Sequence, residues 1–513
     1  MSKRSQALDD AHRRATALHA AGRLAEAEQR YRQILAAAPD HAATSHMLGV
    51  LALQTGHPAD ALRALDAALA ADPRPALVHA NRANALLALN RPAEAEAACR
   101  EALRRKPTAA EPWASLGHAL SDQGRATEAI AAYQRALVLN PRLPELHTGL
   151  GMALHDAARL AEAEAAFAEA ARRAPGDPIA AGNLAGVLKD RGRLAEAEAA
   201  YRAILARHPD DAGAHLNLGI LLLLTGRYAA AWPEWDWRFR AEATARPLPG
   251  RRWTGEALAG RTLLVAAEQG MGDLIHFARF LPLLPRDGRV VLEAHPPLTR
   301  LLGTLQGVDM IVPLGNALPP AELHCPIMSL PRYLPLAAQP EQATAPYLSA
   351  DPAAVAAWRA RLAALPGRRV GLAWAGNPGR VRMDRRRSIP PALLAPLGAV
   401  PGVSFVSLQK PLPEHAPEAP ALFDPAAGLG DFADTAALIM ALDLVIAVDT
   451  AVAHLAGALG RPVWLLNRFD TDWRWGLGHD DSAWYPSLRQ FRQPRPGDWP
   501  AVVAAVAAAL RAE

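Results

Sequence analysis

Three short stretches in the C-terminal part of this 513-residue sequence combine turn-forming residues with side chains able to handle a charged substrate. The first is Glu268-Gln269-Gly270-Met271-Gly272-Asp273, with His276 three residues on. It follows an apolar run, Thr262–Ala267, and precedes a helical pattern. Its glycines let the backbone turn sharply and approach a substrate closely, leaving a carboxylate at a helix start. A carboxylate there either acts on the substrate or caps the helix. The stretch is not a dinucleotide fingerprint, because Ile275 stands where a third glycine belongs, and no P-loop lysine follows. The second stretch follows the strand pattern VGLAW: Ala375-Gly376-Asn377-Pro378, then Arg385-Arg386-Arg387-Ser388. Guanidinium forks grip a diphosphate bidentately and balance leaving-group charge, and a solvated basic loop is the plain alternative. Gln409 and Lys410, after the next strand pattern, reach the same expected edge for contact with a base or phosphate. The third is LDLVIAVDTAVAHLAGALGRPVWLL: a strand, Asp449-Thr450, then a helix bearing His454. A helix start presents free amides, to which a hydroxyl and an imidazole one turn apart add donors for a phosphate. Its alternative is an N-cap aspartate with a buried histidine. Asp470-Thr471-Asp472 has the spacing of a metal-binding DxD motif, but Trp473 and Trp475 beside it indicate a packed or sugar-stacking loop. No metal is expected, and no HExxH spacing occurs.

What must hold these loops begins with a ruler. Prolines recur every 34 residues at Pro39, Pro73, Pro107, Pro141, Pro175 and Pro209. Turn positions keep the same step at Gly22, Gly56, Asn90, Gly124, Ala158, Gly192 and Gly226. Small residues for close helix approach (Gly49, Ala83, Gly117, Gly151, Ala185, Gly219) are each answered by a filler on the following helix (Leu65, Cys99, Tyr133, Phe167, Tyr201, Trp235). These residues resemble tetratricopeptide repeats over residues 8–245, about seven units forming an α-solenoid. In the last unit GRYAAAWPEWDWRFR replaces the usual second helix, and the cluster Trp232, Trp235, Trp237 and Phe239 reads as a seam to the next domain. Asn81, Asn183 and Asn217 share one register. The layout resembles the eukaryotic O-GlcNAc transferase, which implies that these asparagines line a groove gripping a peptide backbone; ordinary polar inner-face residues are the alternative.

Beyond residue 245 the period stops, and strand patterns alternate with helical ones: Thr262–Ala267, Arg289–Glu293, Met310–Val312, Val370–Trp374, Val403–Leu408, Leu444–Val448 and Val463–Leu466. Such alternation predicts parallel sheets covered on both faces. With a linker helix at 346–366, it predicts two Rossmann-like halves, 246–345 and 367–513, facing each other in the GT-B arrangement. The fold class expected is therefore α plus α/β. Gly-Asp-x-x-His in the first loop and Asp-Thr-x-x-x-His-Leu-Ala in the third resemble the bacterial heptosyltransferases of glycosyltransferase family 9. Ala451 departs from that family's glycine, which bears on the closest backbone contact. The resemblance implies inverting, metal-independent transfer from a nucleotide-diphosphate sugar, used as a substrate with no cofactor. It makes Asp273 the base, with His276 beside it. Gly270, Gly272, Gly376, Asn377, Arg385, Arg386, Arg387, Ser388, Gln409, Lys410, Asp449, Thr450 and His454 then form the donor site. The acceptor, on the architectural analogy a protein, would be recruited by the repeats. A non-catalytic interaction scaffold with a degenerate nucleotide-binding module is the rival. A peptide-binding assembly factor of pili or secretion systems explains the repeats but not the loops.

Composition restricts the remaining classes. With 55 basic and 51 acidic residues the net charge is +4, too near balance to argue for a nucleic-acid partner. Cys99 and Cys325 lie far apart, so neither a disulfide framework nor a cysteine zinc site is expected, and a reducing cytoplasm is the default. The charged N-terminus has no apolar leader. The run Leu438–Leu459, broken by Asp443, Asp449 and His454, reads as strand plus helix rather than a membrane span.

Overall fold

A computed structural model of the chain describes residues 3–241, 246–334, 345–376, 386–410 and 421–513. The chain divides into two compact units, Met1–Ala197 and Glu198–Glu513. The repeats form helix pairs, from Lys3–Ala20 with Leu24–Ala37 to Ala212–Leu224 with Tyr228–Trp235. Second helices such as Leu24–Ala37, Pro58–Ala71 and Pro92–Arg105 each stop two residues before the periodic proline, which lacks an amide donor. All seven turn positions have positive φ, between 55° at Asn90 and 78° at Gly192. This left-handed turn suits glycine; a Cβ there costs roughly 1 kcal/mol. Ala158, at φ 58°, carries that strain. Ala158→Gly is therefore expected to stabilise the first unit by about 0.5–1 kcal/mol despite glycine's greater unfolded-state entropy, measured by urea unfolding followed by far-UV circular dichroism.

The small and bulky positions meet as their spacing requires. A Cβ on Gly49 would come within 2.6 Å of Leu65, one on Gly117 within 2.8 Å of Tyr133, and one on Gly151 within 2.6 Å of Phe167. Cys99 is fully buried, and burial pushes its thiol up to about 12, so it packs as a small apolar residue. Ring N–H groups also tie successive repeats. Trp113 Nε1 donates to Pro107 O at 3.0 Å, and His79 Nε2 lies 2.9 Å from Pro73 O.

The seventh helix pair packs within the second unit. Trp232 meets Phe277 edge-on at 6.2 Å and Trp473 at 5.9 Å, and Trp235 meets Trp473 at 6.2 Å. Trp237 does something else: it stacks on His215 at 4.0 Å, inside its own repeat. Between them Arg238, 1% exposed, grips Glu268 bidentately at 2.9–3.0 Å and reaches Asp236 at 3.0 Å and Ser329 at 2.8 Å. Asp236 also receives Arg252 at 2.9 Å and Arg332 at 2.8 Å. A buried charge persists only with such partners. Burial still raises the Glu268 carboxyl above its ordinary value. Glu268 directly precedes the first glycine loop, so this ion cluster fixes where that loop starts.

Two parallel sheets follow. The first contains β1 (Arg251–Arg252), β2 (Thr262–Ala266), β3 (Arg289–Ala294), β4 (Met310–Pro313) and β5 (Leu323–Pro326), in the order β1-β5-β2-β3-β4. The second contains β6 (Arg368–Ala373), β7 (Val403–Ser407), β8 (Leu422–Phe423), β9 (Leu444–Val448), β10 (Val463–Asn467) and β11 (Leu488–Arg492), in the order β11-β10-β9-β6-β7-β8. Every pairing is parallel. The continuous apolar run of β9 is buried on both faces, as a central parallel strand must be. Two sheets of this kind form the two Rossmann-like halves of a GT-B arrangement. The chain runs from β6 outward to β8, then returns on the other side of β6 to place β9. The order therefore reverses between β6 and β9, where open α/β sheets leave a crevice at their carboxyl ends.

Candidate active site

The crevice is a cleft of about 810 Å³, a volume typical of small-ligand sites. Loops from both sheets line it: Gln269–Asp273 after β2, Ala375 and Gly376 after β6, Gln409 and Lys410 after β7, and Asp449–Val452 with His454 after β9. The glycine-flanked acid and the Asp-Thr-to-His turn thus face one space.

Across this space the helices Met271–Phe277 and Ala451–Ala458 approach closely. A Cβ on Gly272 would lie 3.1 Å from His454 Cδ2 and 3.4 Å from Ala451 Cα. Glycine at this position therefore sets the gap between the halves. Gln269 adopts φ 51° to deliver Gly270 as the N-cap. Asp273 then accepts the Gly270 amide on Oδ2 at 3.0 Å and Arg474 Nη2 on Oδ1 at 2.6 Å. It caps its helix and lines the cleft at once. His276 does not line it. Its ring is fully buried, held edge-on by Trp473 at 5.7 Å and Trp484 at 4.9 Å, away from the cleft that Asp273 borders. The helix has turned it toward a cage built by residues 473–485.

In the third loop, Thr450, not Asp449, is the N-cap, and its hydroxyl donates to Val448 O at 3.2 Å, leaving the first amides uncapped by any side chain. His454 is buried with one edge on the cleft; its Nε2 lies 3.9 Å from Asp449 Oδ1. Burial, then the neighbouring Arg474, holds its imidazole well below the ordinary histidine range, so it is neutral at neutral pH. Burial and then the charge of Asp472 push Asp449 up to about 6. The sign follows. Between pH 4 and 6 the unfolded chain releases this proton first and the folded protein keeps it, so stability falls as pH rises, and the penalty is complete above about 6. Relative to Asp449→Asn, the wild-type second unit is expected to lose on the order of 2 kcal/mol between pH 4 and 7.5, read by urea unfolding at each pH. A difference between the two that does not vary with pH would refute the assignment.

The arginine run separates. Asn377 and Arg385 lie outside the described residues. Arg386 pairs with Asp470 and does not line the cleft, and Ser388 Oγ accepts the Gly376 amide at 3.2 Å, which leaves its own proton to donate. Arg387 lines the cleft and donates to Asp449 O at 3.0 Å. Gln409 Oε1 accepts the Ala375 amide at 3.0 Å, and Lys410 donates to Leu429 O at 2.6 Å; both still border the cleft. Both carboxylates of the DxD-like loop have partners, Asp470 in Arg386 and Asp472 in Arg474. Among the described residues no group of three or more metal-ligating side chains converges. Of the asparagines expected to line a groove, Asn81 Nδ2 donates to His46 Nε2 at 2.8 Å, Asn183 is half-buried and Asn217 is exposed.

Sequence reasoning missed three participants. Arg474, buried beside Asp273, ties that aspartate to Asp472. Tyr485, fully buried, bonds both His276 and His454. Asp431, at another edge of the cleft, takes Arg300 of the first half at 2.8 Å. The aromatic density of Trp473, Trp475, Trp484 and Tyr485 was the only sequence signal pointing to this region.

Residues 46–110, 115–178 and 183–245 match the model of the tetratricopeptide repeat, and residues 424–477, which hold the third loop and Arg474, match that of glycosyltransferase family 9 (heptosyltransferase). The chain thus carries tetratricopeptide repeats in its N-terminal part and a glycosyltransferase family 9 domain in its C-terminal part. Over 321 residues it is 32% identical to protein FlbA of Caulobacter vibrioides, an alignment covering 56% of this chain and 52% of FlbA, so the chain spans about half the length of that relative. Similar solved structures include a tetratricopeptide repeat protein from Parabacteroides merdae (18% identity, 47% of this chain and 94% of that one, TM-score 0.41). PilW, a type IV pilus biogenesis factor, is another (21% identity, 40% and 94%, TM-score 0.38). Among the described residues no helix is long and apolar enough to cross a membrane.

Proposed function

We propose that this protein transfers a sugar, with inversion and without a metal, from a nucleoside-diphosphate sugar to a hydroxyl of an acceptor, a protein recruited by the repeats. One observation carries the reading: Asp273 and the Asp449–Thr450–His454 turn border one cleft of about 810 Å³. In this scheme Asp273 takes the acceptor's proton as its oxygen attacks the anomeric carbon, and the bond to the diphosphate breaks. The departing charge meets Arg387, the uncapped amides after Thr450 and His454. Fixed donors of this kind act where charge develops and need no reorganisation. Gln409 and Lys410 border the remainder of the donor. The domain limits in this reading are 8–245 for the repeats, 246–345 and 367–513 for the halves, and 346–366 for the linker, in a cytoplasmic protein.

The commitment of both Asp273 oxygens to Gly270 and Arg474 favours a second reading, a repeat scaffold whose module binds nucleotide without turnover. A panel of UDP-, GDP- and ADP-sugars separates the two. A transferase is stabilised by one of them, by about 2.7 kcal/mol at a hundredfold excess over Kd, and consumes it when acceptor is supplied. Stabilisation without consumption supports the scaffold, and no response to any donor overturns both.

A further inference from the structure

Tyr485 stands between two imidazoles from different halves of the module. Its hydroxyl is 3.0 Å from His454 Nδ1 and 3.2 Å from His276 Nδ1. The ring is fixed on both faces. A Cβ on Gly457 would fall 2.5 Å from it, so it lies directly on the helix carrying His454, and the Arg279 guanidinium packs over it at 4.5 Å. Burial holds both histidines well below their ordinary value, His276 with help from Arg279 and His454 from Arg474, so each ring carries a single proton. Tyr347 offers the hydroxyl a third contact at 3.5 Å, longer than either histidine, and its own proton goes to Ile275 O at 2.9 Å.

A phenol has one proton to give. It can donate to one Nδ1 only, and when it does, the other Nδ1 must donate to it. If its proton went instead to Tyr347 Oη, across the longer 3.5 Å contact, both Nδ1–H groups could donate to its oxygen, and His454 would turn a bare Nε2 to the Asp449 carboxylate. With the phenol proton on a histidine the two rings are opposite tautomers, and two arrangements remain. In one, Tyr485 donates to His276. That leaves a bare His454 Nε2 facing the Asp449 carboxylate at 3.9 Å, and an Nε2–H on His276 where no hydrogen-bond partner exists among the described residues. In the other, His454 Nε2–H faces Asp449 and the cleft, and His276 buries a bare lone pair among aromatic rings. An orphaned buried N–H is rarer than an undersatisfied acceptor, and a carboxylate attracts an N–H and repels a lone pair.

We infer that Tyr485 is a positioning residue. A directed chain, His276 Nδ1–H to Tyr485 O and Tyr485 O–H to His454 Nδ1, fixes His454 as the tautomer presenting Nε2–H to the cleft, where it donates to an oxygen of the donor's diphosphate. The ligand class rests on the proposed function; the tautomers do not.

Long-range proton–nitrogen spectra of the full chain with ring-labelled histidine test this at pH 7.5, with the two signals assigned through His454→Gln and His276→Gln. The expected result is Nε2–H on His454 and Nδ1–H on His276, with His454 becoming a tautomer mixture in Tyr485→Phe. Inorganic pyrophosphate titrated into both proteins is expected to bind Tyr485→Phe about tenfold more weakly. The opposite tautomers in the wild type, or unchanged ones in Tyr485→Phe, overturn the inference; the wild-type spectrum decides alone if the variant does not fold. Expected tautomers with no pyrophosphate binding would sustain the chain and overturn the diphosphate reading of the cleft.

Discussion

Arg238→Met is expected to lower the stability of the Glu198–Glu513 unit by about 3–5 kcal/mol, the range for removing one partner of a buried ion cluster. Arg238 is 1% exposed and supplies Glu268 with a bidentate partner and Asp236 with one of its donors. Without it Glu268 keeps, among the described residues, only the Met328 amide at 3.0 Å, and its charge is left in a place where burial already disfavours it. Intrinsic tryptophan fluorescence during urea unfolding reads this unit, because of the 12 tryptophans only Trp113 precedes residue 198. Combining Arg238→Met with Glu268→Gln is expected to recover part of the loss, since the orphaned charge goes with its partner. A single-variant loss below about 1 kcal/mol would mean that water reaches the cluster and that it does not anchor the loop.

Asp273→Asn is expected to reduce kcat by about 10²–10⁴, the usual contribution of a positioned base, with a small change in KM for the donor. Asparagine keeps an oxygen for the Gly270 amide, so the cap on Met271–Phe277 survives, while the group that would take the acceptor's proton is gone. The measurement is turnover of whichever nucleotide sugar the panel selects, alongside the unfolding midpoint. A kcat within about tenfold of wild type, in a folded variant, removes Asp273 from the chemistry and leaves it as a cap. Arg474→Lys gives a useful contrast: it keeps a positive charge near Asp273 and gives up the planar fork that also holds Asp472.

What could be read from the sequence was what repeats or alternates. The 34-residue step placed the seven left-handed turns of the repeats and the pairs Gly49–Leu65, Gly117–Tyr133 and Gly151–Phe167, because each repeat solves the same local packing problem; at Gly219 the close neighbours are instead Glu234 and the Trp235 backbone. Apolar runs located β2, β3, β4, β6, β7, β9 and β10. The strands missed are edge or near-edge ones with little apolar content: β1 is two arginines, β8 two residues, β5 ends in Pro326, and β11 reads Leu-Arg-Gln-Phe-Arg. The loops at strand ends were legible because glycine next to an acid or hydroxyl leaves a local mark. Their partners were not. Arg474 reaches Asp273 across 201 residues and Tyr485 reaches His276 across 209, separations over which spacing carries no information. For the same reason nothing near His276 announces the tryptophans that enclose it, and nothing near Arg386 announces Asp470, 84 residues away.

The last helix pair travels with the sheets: Trp232 and Trp235 pack on Phe277 and Trp473, and Arg238 is the counter-ion of Glu268. Exchanging one repeat array for another, by recombination or at the bench, is therefore expected to fail where the 34-residue pattern runs out, because that last pair belongs to the second unit. A splice there would deliver a module whose first glycine loop begins at an acid with no cation beside it.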